Sequence, residues 1–325
     1  MNFIKYIAML FLLILYSCTQ EIEIPIENQS KQFVVNGYIE NGEIPKILLQ
    51  RSLPYFNPII LDDDLANSSI FKSLINNATV TITTNTGESE VLSLTNNINL
   101  GYPGFTDTWF YNYQGSGYIL GQEGVSYRLE IEKEDTLLWA ITTIPKLARI
   151  NEDSLRFLYR ADDSSYCYLL GNLIDPDTIG NCYRAFSKTE SKYWGEDPFY
   201  IPMLEQDGNY NDEYINGWDF SFPMYRGRGF WQEWGEQEDE ESDTDEVDGS
   251  SGATTGFWNI GDKVTIKWSS TDRSSWDFWI SLQYNNPGGP FGSPAQANTN
   301  INGGLGFFGG SSSQYIERIA NPEAE

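Results

Sequence analysis

The sequence predicts a mostly β chain. An N-terminal immunoglobulin-like antiparallel β-sandwich comes first, followed by a second β-rich domain with one helix near the C-terminus. Three observations predict it. Apolar and polar residues alternate with period two over many short runs, and turn-forming residues cluster between those runs. A helical period stands out in one late segment.

Lys5 precedes the apolar stretch Tyr6–Leu15. A basic start and a short apolar run match a secretory signal and are too short to span a bilayer. Leu15-Tyr-Ser-Cys18 then sets a small residue directly before a cysteine. This is the lipobox pattern, at which bacteria attach a diacylglyceryl group to the sulfur and cleave. Residues 1–17 are therefore expected to be a lipoprotein signal peptide, with Cys18 lipidated. Residues 18–30, with Glu21, Glu23 and Pro25 and no helical period, read as an extended tether.

Residues 31–145 form the expected sandwich. Gln32–Ile39 alternates and ends at the turn signal Glu40-Asn-Gly-Glu43, after which Lys46–Gln50 continues. Ala78–Thr84 and Glu90–Thr95 flank Asn85-Thr-Gly87 as a hairpin. Val125–Glu132 places Val125, Tyr127, Leu129 and Ile131 on one face, and Thr136–Ile144 ends at Pro145. The chain lacks a Cys–Trp–Cys core, which excludes an antibody-type domain. Pro145–Arg149 is the expected boundary.

The second domain is expected over 150–325. Ser164–Leu170 and Cys182–Phe186 bracket Asp175-Pro-Asp-Thr178 as a hairpin-like connection. Residues 190–232 are aromatic, have no clean period and read as loops and irregular strands. Asp262–Trp268 is a strand. Thr271–Tyr284 is a helix capped by Asp or Thr, with Trp276, Trp279, Ile280 and Gln283 on one face. The glycines of Gly303–Gly310 permit tight turns or close backbone approach.

Composition limits the chemistry. The chain carries 46 acidic and 20 basic residues, a formal charge of −26. That argues against nucleic acid or an anionic membrane surface as a direct partner. It has no histidine, which excludes Ser-His-Asp and Cys-His nucleophiles and histidine-ligated metals. No glycine-rich phosphate loop opens a helix. Carboxylate pairs suited to glycoside hydrolysis are uninformative among so many acids. The expectation is a protein that binds rather than catalyses, with no resident cofactor.

Candidate sites each carry an alternative. The run from Glu233 to Asp248 holds ten carboxylates and no base. It reads as a solvated, disordered insert over 233–250, since like charges repel. The sharper reading is calcium held by Asp243, Asp245 and Asp248, although the spacing fails the helix–loop–helix pattern. Asp207-Gly-Asn-Tyr-Asn211 matches the first ligand positions of that pattern, but Asp212 stands at its glycine position and Trp218 at its glutamate position. Trp194, Trp218, Trp231 and Trp234 could form a platform for a glycan or peptide. Packing onto the core or a protein partner is favoured over a sugar site. Cys167 and Cys182 are a candidate disulfide on adjacent strands, worth about 3 kcal/mol. The alternative is two buried thiols acting as small hydrophobes.

A family resemblance rests on an ordered set of segments. These are the lipobox ending at Cys18, Phe33–Ile39, Ile47–Ser52, Asn77–Ile82, and Asp175-Pro with Tyr183-Arg184. Pro290–Pro294 with Asn300–Gly309 closes the set. Together they resemble the outer-membrane lipoproteins of the Bacteroidota grouped as domain of unknown function 4249. The resemblance implies lipid anchoring in the outer membrane through Cys18, and Glu21 and Glu23 resemble a signal for export to the cell surface. It also implies a TonB-dependent barrel of the SusC type as partner, and it defines no catalytic residues. The acidic insert and the excess of tryptophan after residue 190 are departures of this chain. The expected function is an accessory or binding protein of such a nutrient importer. The alternatives are a scaffold subunit of a larger outer-membrane assembly, barrel-insertion machinery included, and an independent glycan- or peptide-binding lipoprotein.

Overall fold

Period-two alternation becomes strands wherever one face can be buried. The computed structural model describes residues 31–53, 69–95, 111–193, 195–197, 199–204, 208–227, 256–284 and 297–323. The first region supplies β1 (Phe33–Glu40), β2 (Lys46–Arg51), helix α1 (Ser69–Ser73), β3 (Thr79–Thr84), β4 (Ser89–Val91), β5 (Ser93–Leu94), β6 (Tyr113–Gln114), β7 (Ser126–Lys133) and β8 (Thr136–Thr143). The second begins with β9 (Arg156–Tyr159), β10 (Tyr166–Ile174), β11 (Cys182–Ser191), β12 (Gly195–Glu196), β13 (Ile201–Pro202) and β14 (Asn209–Asn211). It ends with β15 (Asp219–Met224), β16 (Trp258–Asn259), β17 (Lys263–Thr271), helix α2 (Arg273–Tyr284) and β18 (Leu305–Ile319). The chain is mostly β, as its periodicity predicts.

Among the described residues these strands form three sheets. A ten-stranded sheet runs β12-β11-β17-β18-β1-β2-β6-β5, with β13 and β14 also paired to β11. A four-stranded sheet runs β4-β3-β7-β8, and another runs β15-β10-β16 with β9 also paired to β10. Val35, Ile39, Ile47 and Leu49 of the large sheet share one core with Val80, Ile82, Leu129, Ile131 and Ala140 of β3, β7 and β8. Side chains from two facing sheets fill that core, which is the sandwich arrangement. A second core joins Tyr183, Ala185, Val264, Ile266 and Trp268 to Phe157, Leu169, Leu173 and Trp258.

The large sheet crosses the boundary expected at 145–149. Entry strand β1 pairs in parallel with closing strand β18, with Val34 opposite Leu305 and Glu40 opposite Ser311. Gln32–Glu325 accordingly form one compact unit in which two cores share a sheet. The parallel seam is the part of the sandwich that strand alternation could not foretell.

β18 begins inside the glycine-rich stretch: Gly303, at φ +88°, lies in the turn before the strand, and close approach explains Gly306 and Gly309 within it. A Cβ at Gly309 would stand 1.8 Å from the Ser275 Oγ of α2. At Gly306, where φ is +99°, a Cβ would stand 1.9 Å from the Val35 carbonyl oxygen. The glycines let helix and neighbouring strand lie directly on this backbone. Helix α2 begins as expected: Asp272 accepts the Ser275 N–H at 3.3 Å as its cap. Phe278 stacks on Phe307 at 4.5 Å, and Trp279 meets the same ring edge-on at 5.6 Å. Among the described residues no helix is long and apolar enough to cross a membrane.

The connection after β10 is not a hairpin. β10 lies in a four-stranded sheet and β11 in the large one, so Asp175–Thr178 crosses between layers. The disulfide expectation falls with it. Cys167 and Cys182 are both free and buried. Their thiols donate to the carbonyls of Trp258 and Gly180, each at 3.7 Å. Burial pushes both thiols up to about 12, which suits small hydrophobes rather than reactive groups.

Candidate functional site, an aromatic cleft

Crossing between the layers opens a cleft where β10, β15 and α2 converge on β11, β14 and β17 of the large sheet. Its volume is about 420 Å³. From the large sheet come Tyr183 of β11 and Trp268 of β17, stacked at 5.2 Å. β14 adds Tyr210 and β15 adds Phe220 and Phe222, while α2 contributes Trp276 and Ile280. Alternation on β15 sends both phenylalanines to the same side, where their rings stack at 5.2 Å. Phe222 lies 5.7 Å from Trp268, and Tyr210 lies 6.0 Å from Trp268 and 5.8 Å from Phe222. The result is one continuous aromatic wall. The Trp268 indole N–H is used internally, donating to the Ala148 carbonyl at 2.9 Å.

Buried carboxylates hold the rim. Asp212 accepts the backbone N–H groups of Gly180 and Asn181, each at 2.8 Å. Asp175 accepts the Tyr183 hydroxyl on one oxygen and the Gly217 N–H at 3.0 Å on the other. Burial first, and then Asp175, push the Tyr183 phenol far above its ordinary value, so it remains a donor at any physiological pH. These bonds tie the loop after β10 to the turn after β14. Satisfied buried networks of this kind rigidify what they join, so the rim is preorganised. Glu213 and Asn211 are the polar side chains on the cleft lining, and Tyr214 stands at its mouth with 81% of its surface exposed. The buried Trp276 indole N–H has no hydrogen-bond partner among the described residues.

The predicted site residues fare differently. Trp218 lies in the rim turn, 64% exposed, between the cleft residues Ile215 and Phe220. Trp194, Trp231, Trp234, Cys18, Asp207 and the carboxylates Asp243, Asp245 and Asp248 lie outside the described residues. The stretch read as a calcium pattern is not a ligand loop where it is described. Asn209–Asn211 form strand β14 against β11, and the Asn211 side chain accepts the Glu213 N–H at 3.4 Å. Asp212, at the pattern's glycine position, secures the loop after β10. Among the described residues no group of three or more acids and cysteines is placed to hold a metal.

Sequence reading missed Tyr183, Tyr210, Phe220, Phe222, Trp268 and Trp276 as one site. The Phe220-Ser-Phe222 alternation was the available signal; the cross-layer connection that gathers the others was not.

No curated protein matches the chain closely enough to count as a relative. A family model does: the one described as domain of unknown function (DUF4249) matches residues 19–316, nearly the whole sequence, and the chain belongs to that family.

Proposed function

We propose that this chain is a lipid-anchored binding protein of the outer membrane that captures a ligand in the aromatic cleft and serves a TonB-dependent barrel of the SusC type. The observation that carries the capture reading is the cleft itself. Its volume of about 420 Å³ falls in the range of roughly 300–1,000 Å³ typical of ligand sites. An apolar wall, a few convergent polar groups and a rigid rim are the usual features of such a site. The anchoring at Cys18, the surface location and the barrel partner rest on the lipobox and the family resemblance. Catalysis is no part of the reading.

Tryptophan fluorescence tests it, because Trp268 and Trp276 line the cleft. Titration across glycans, peptides and small metabolites should give saturable changes with one class and none with the others. A flat response to every class, in protein that melts cooperatively, would leave the scaffold reading in its place.

A further inference from the structure

The capture reading leaves the ligand class open, and the charge and ring chemistry of the cleft narrow it. Resting on that reading, we infer that the cleft takes an organic cation, a guanidinium or alkylammonium group.

The wall offers aromatic surface. Half-buried Tyr210 and Phe222 line the cleft, and the buried Trp268 packs against both at 5.7 to 6.0 Å. A cation is attracted to aromatic faces within about 6 Å of the ring centroid. One lining ring already carries a cation: the Arg273 guanidinium sits 4.8 Å over Trp276.

The charge has the complementary sign. Of the described acids between Tyr193 and Tyr225, Glu196 and Asp197 pair with Lys188 and Arg226, while Asp212, Glu213 and Asp219 make no salt bridge among the described residues. Glu213 lines the cleft. Asp175 and Asp212 add fixed negative charge behind the rim, buried and bonded only to neutral donors. Arg273 is the base that reaches this region; Asp277 binds it at 2.9 Å, and its charge also reaches Glu213. The balance stays negative. An anionic ligand would meet repulsion, and a neutral sugar would find few polar side chains with which to pair its hydroxyls.

Two isosteres separate charge from shape: choline and its uncharged carbon analogue 3,3-dimethyl-1-butanol, titrated into the full mature chain by fluorescence and calorimetry. L-argininamide and maltohexaose complete the probe set. Choline or L-argininamide should bind about tenfold or more tightly than 3,3-dimethyl-1-butanol, and should weaken as salt rises. Glu213→Gln lies on the exposed turn, so it should keep the melting temperature while weakening the cation severalfold. Equal binding of choline and its neutral analogue without salt dependence, or binding of maltohexaose alone, would overturn the cation inference and leave capture standing. Silence from all four probes in folded protein would overturn the inference, while the wider panel decides the capture reading.

Discussion

Glu40 and Lys267 come from strands that flank β18, and they join across it on the face opposite the second core. Their ion pair is 2.9 Å long, and the side chains are only 10% and 4% exposed. The Tyr315 hydroxyl donates to the other Glu40 oxygen at 3.2 Å, and Lys267 lies 5.5 Å over the Tyr315 ring. At an effective dielectric near 20 their attraction is about 6 kcal/mol, and desolvating two ions offsets most of it. The intact pair therefore adds little net stability, but breaking it strands a buried charge. Lys267→Met leaves Glu40 with the Tyr315 hydroxyl alone, which should cost about 3–5 kcal/mol. Glu40→Gln should cost a similar amount. The double variant should be at least about 2 kcal/mol better than the sum of the singles, because each removes the penalty created by the other. Urea unfolding of the four proteins measures this directly. In heat, each single should lower the melting temperature by roughly 6 °C or more. Single variants that shift by less than about 1 kcal/mol, or singles that add to the double, would refute the argument that this seam is a desolvated pair.

Further tests address other parts of the fold. Gly306→Ala forces a side chain onto a backbone of φ +99° and against the Val35 carbonyl; a loss of at least about 2 kcal/mol is expected, and a neutral result would show that β1 and β18 are not so close. Burial opposes ionisation of Glu90, but N–H donors from Ser116 and Ile119 outweigh it and hold the carboxyl below its ordinary 4.5. A depressed folded value means this stabilisation is full above pH 4.5 and fades as the pH falls through the folded value; in Glu90→Gln, that part of the acid-induced fall in melting temperature should vanish. In a Cys18→Ser chain without reductant, two thiols should react after unfolding and none in the native state. Fewer than two on unfolding would restore the disulfide.

Period-two alternation made the strands legible because each needs only one apolar face; β7, with Tyr127, Leu129 and Ile131 inward, is the clearest case. The helix was legible from its Asp272 cap and aromatic spacing. What escaped depends on partners far apart in sequence. β1 meets β18 across more than 270 residues, and nothing in Val34–Glu40 names that partner. The glycines of 303–310 gave a local signal consistent with turning or with close approach, and both occur: Gly303 turns the chain into β18, and Gly309 lies under the helix. The cleft shows the same division. Trp218 and the aromatic density were visible, yet the site exists because Asp175–Thr178 crosses layers instead of closing a hairpin. That one topological difference also separates the two cysteines.

If the cleft captures a ligand for an outer-membrane barrel, protein, barrel and ligand should be recoverable together as a native complex. Wild-type and Tyr214→Ala chains would be purified from gently solubilised outer membranes and weighed intact by mass spectrometry. The exposure of Tyr214 means its loss should spare the fold. A TonB-dependent barrel should come down in stoichiometric amount with both chains, with a bound small molecule that is retained by the wild type and depleted in the variant. Recovery of both chains alone and empty would contradict it.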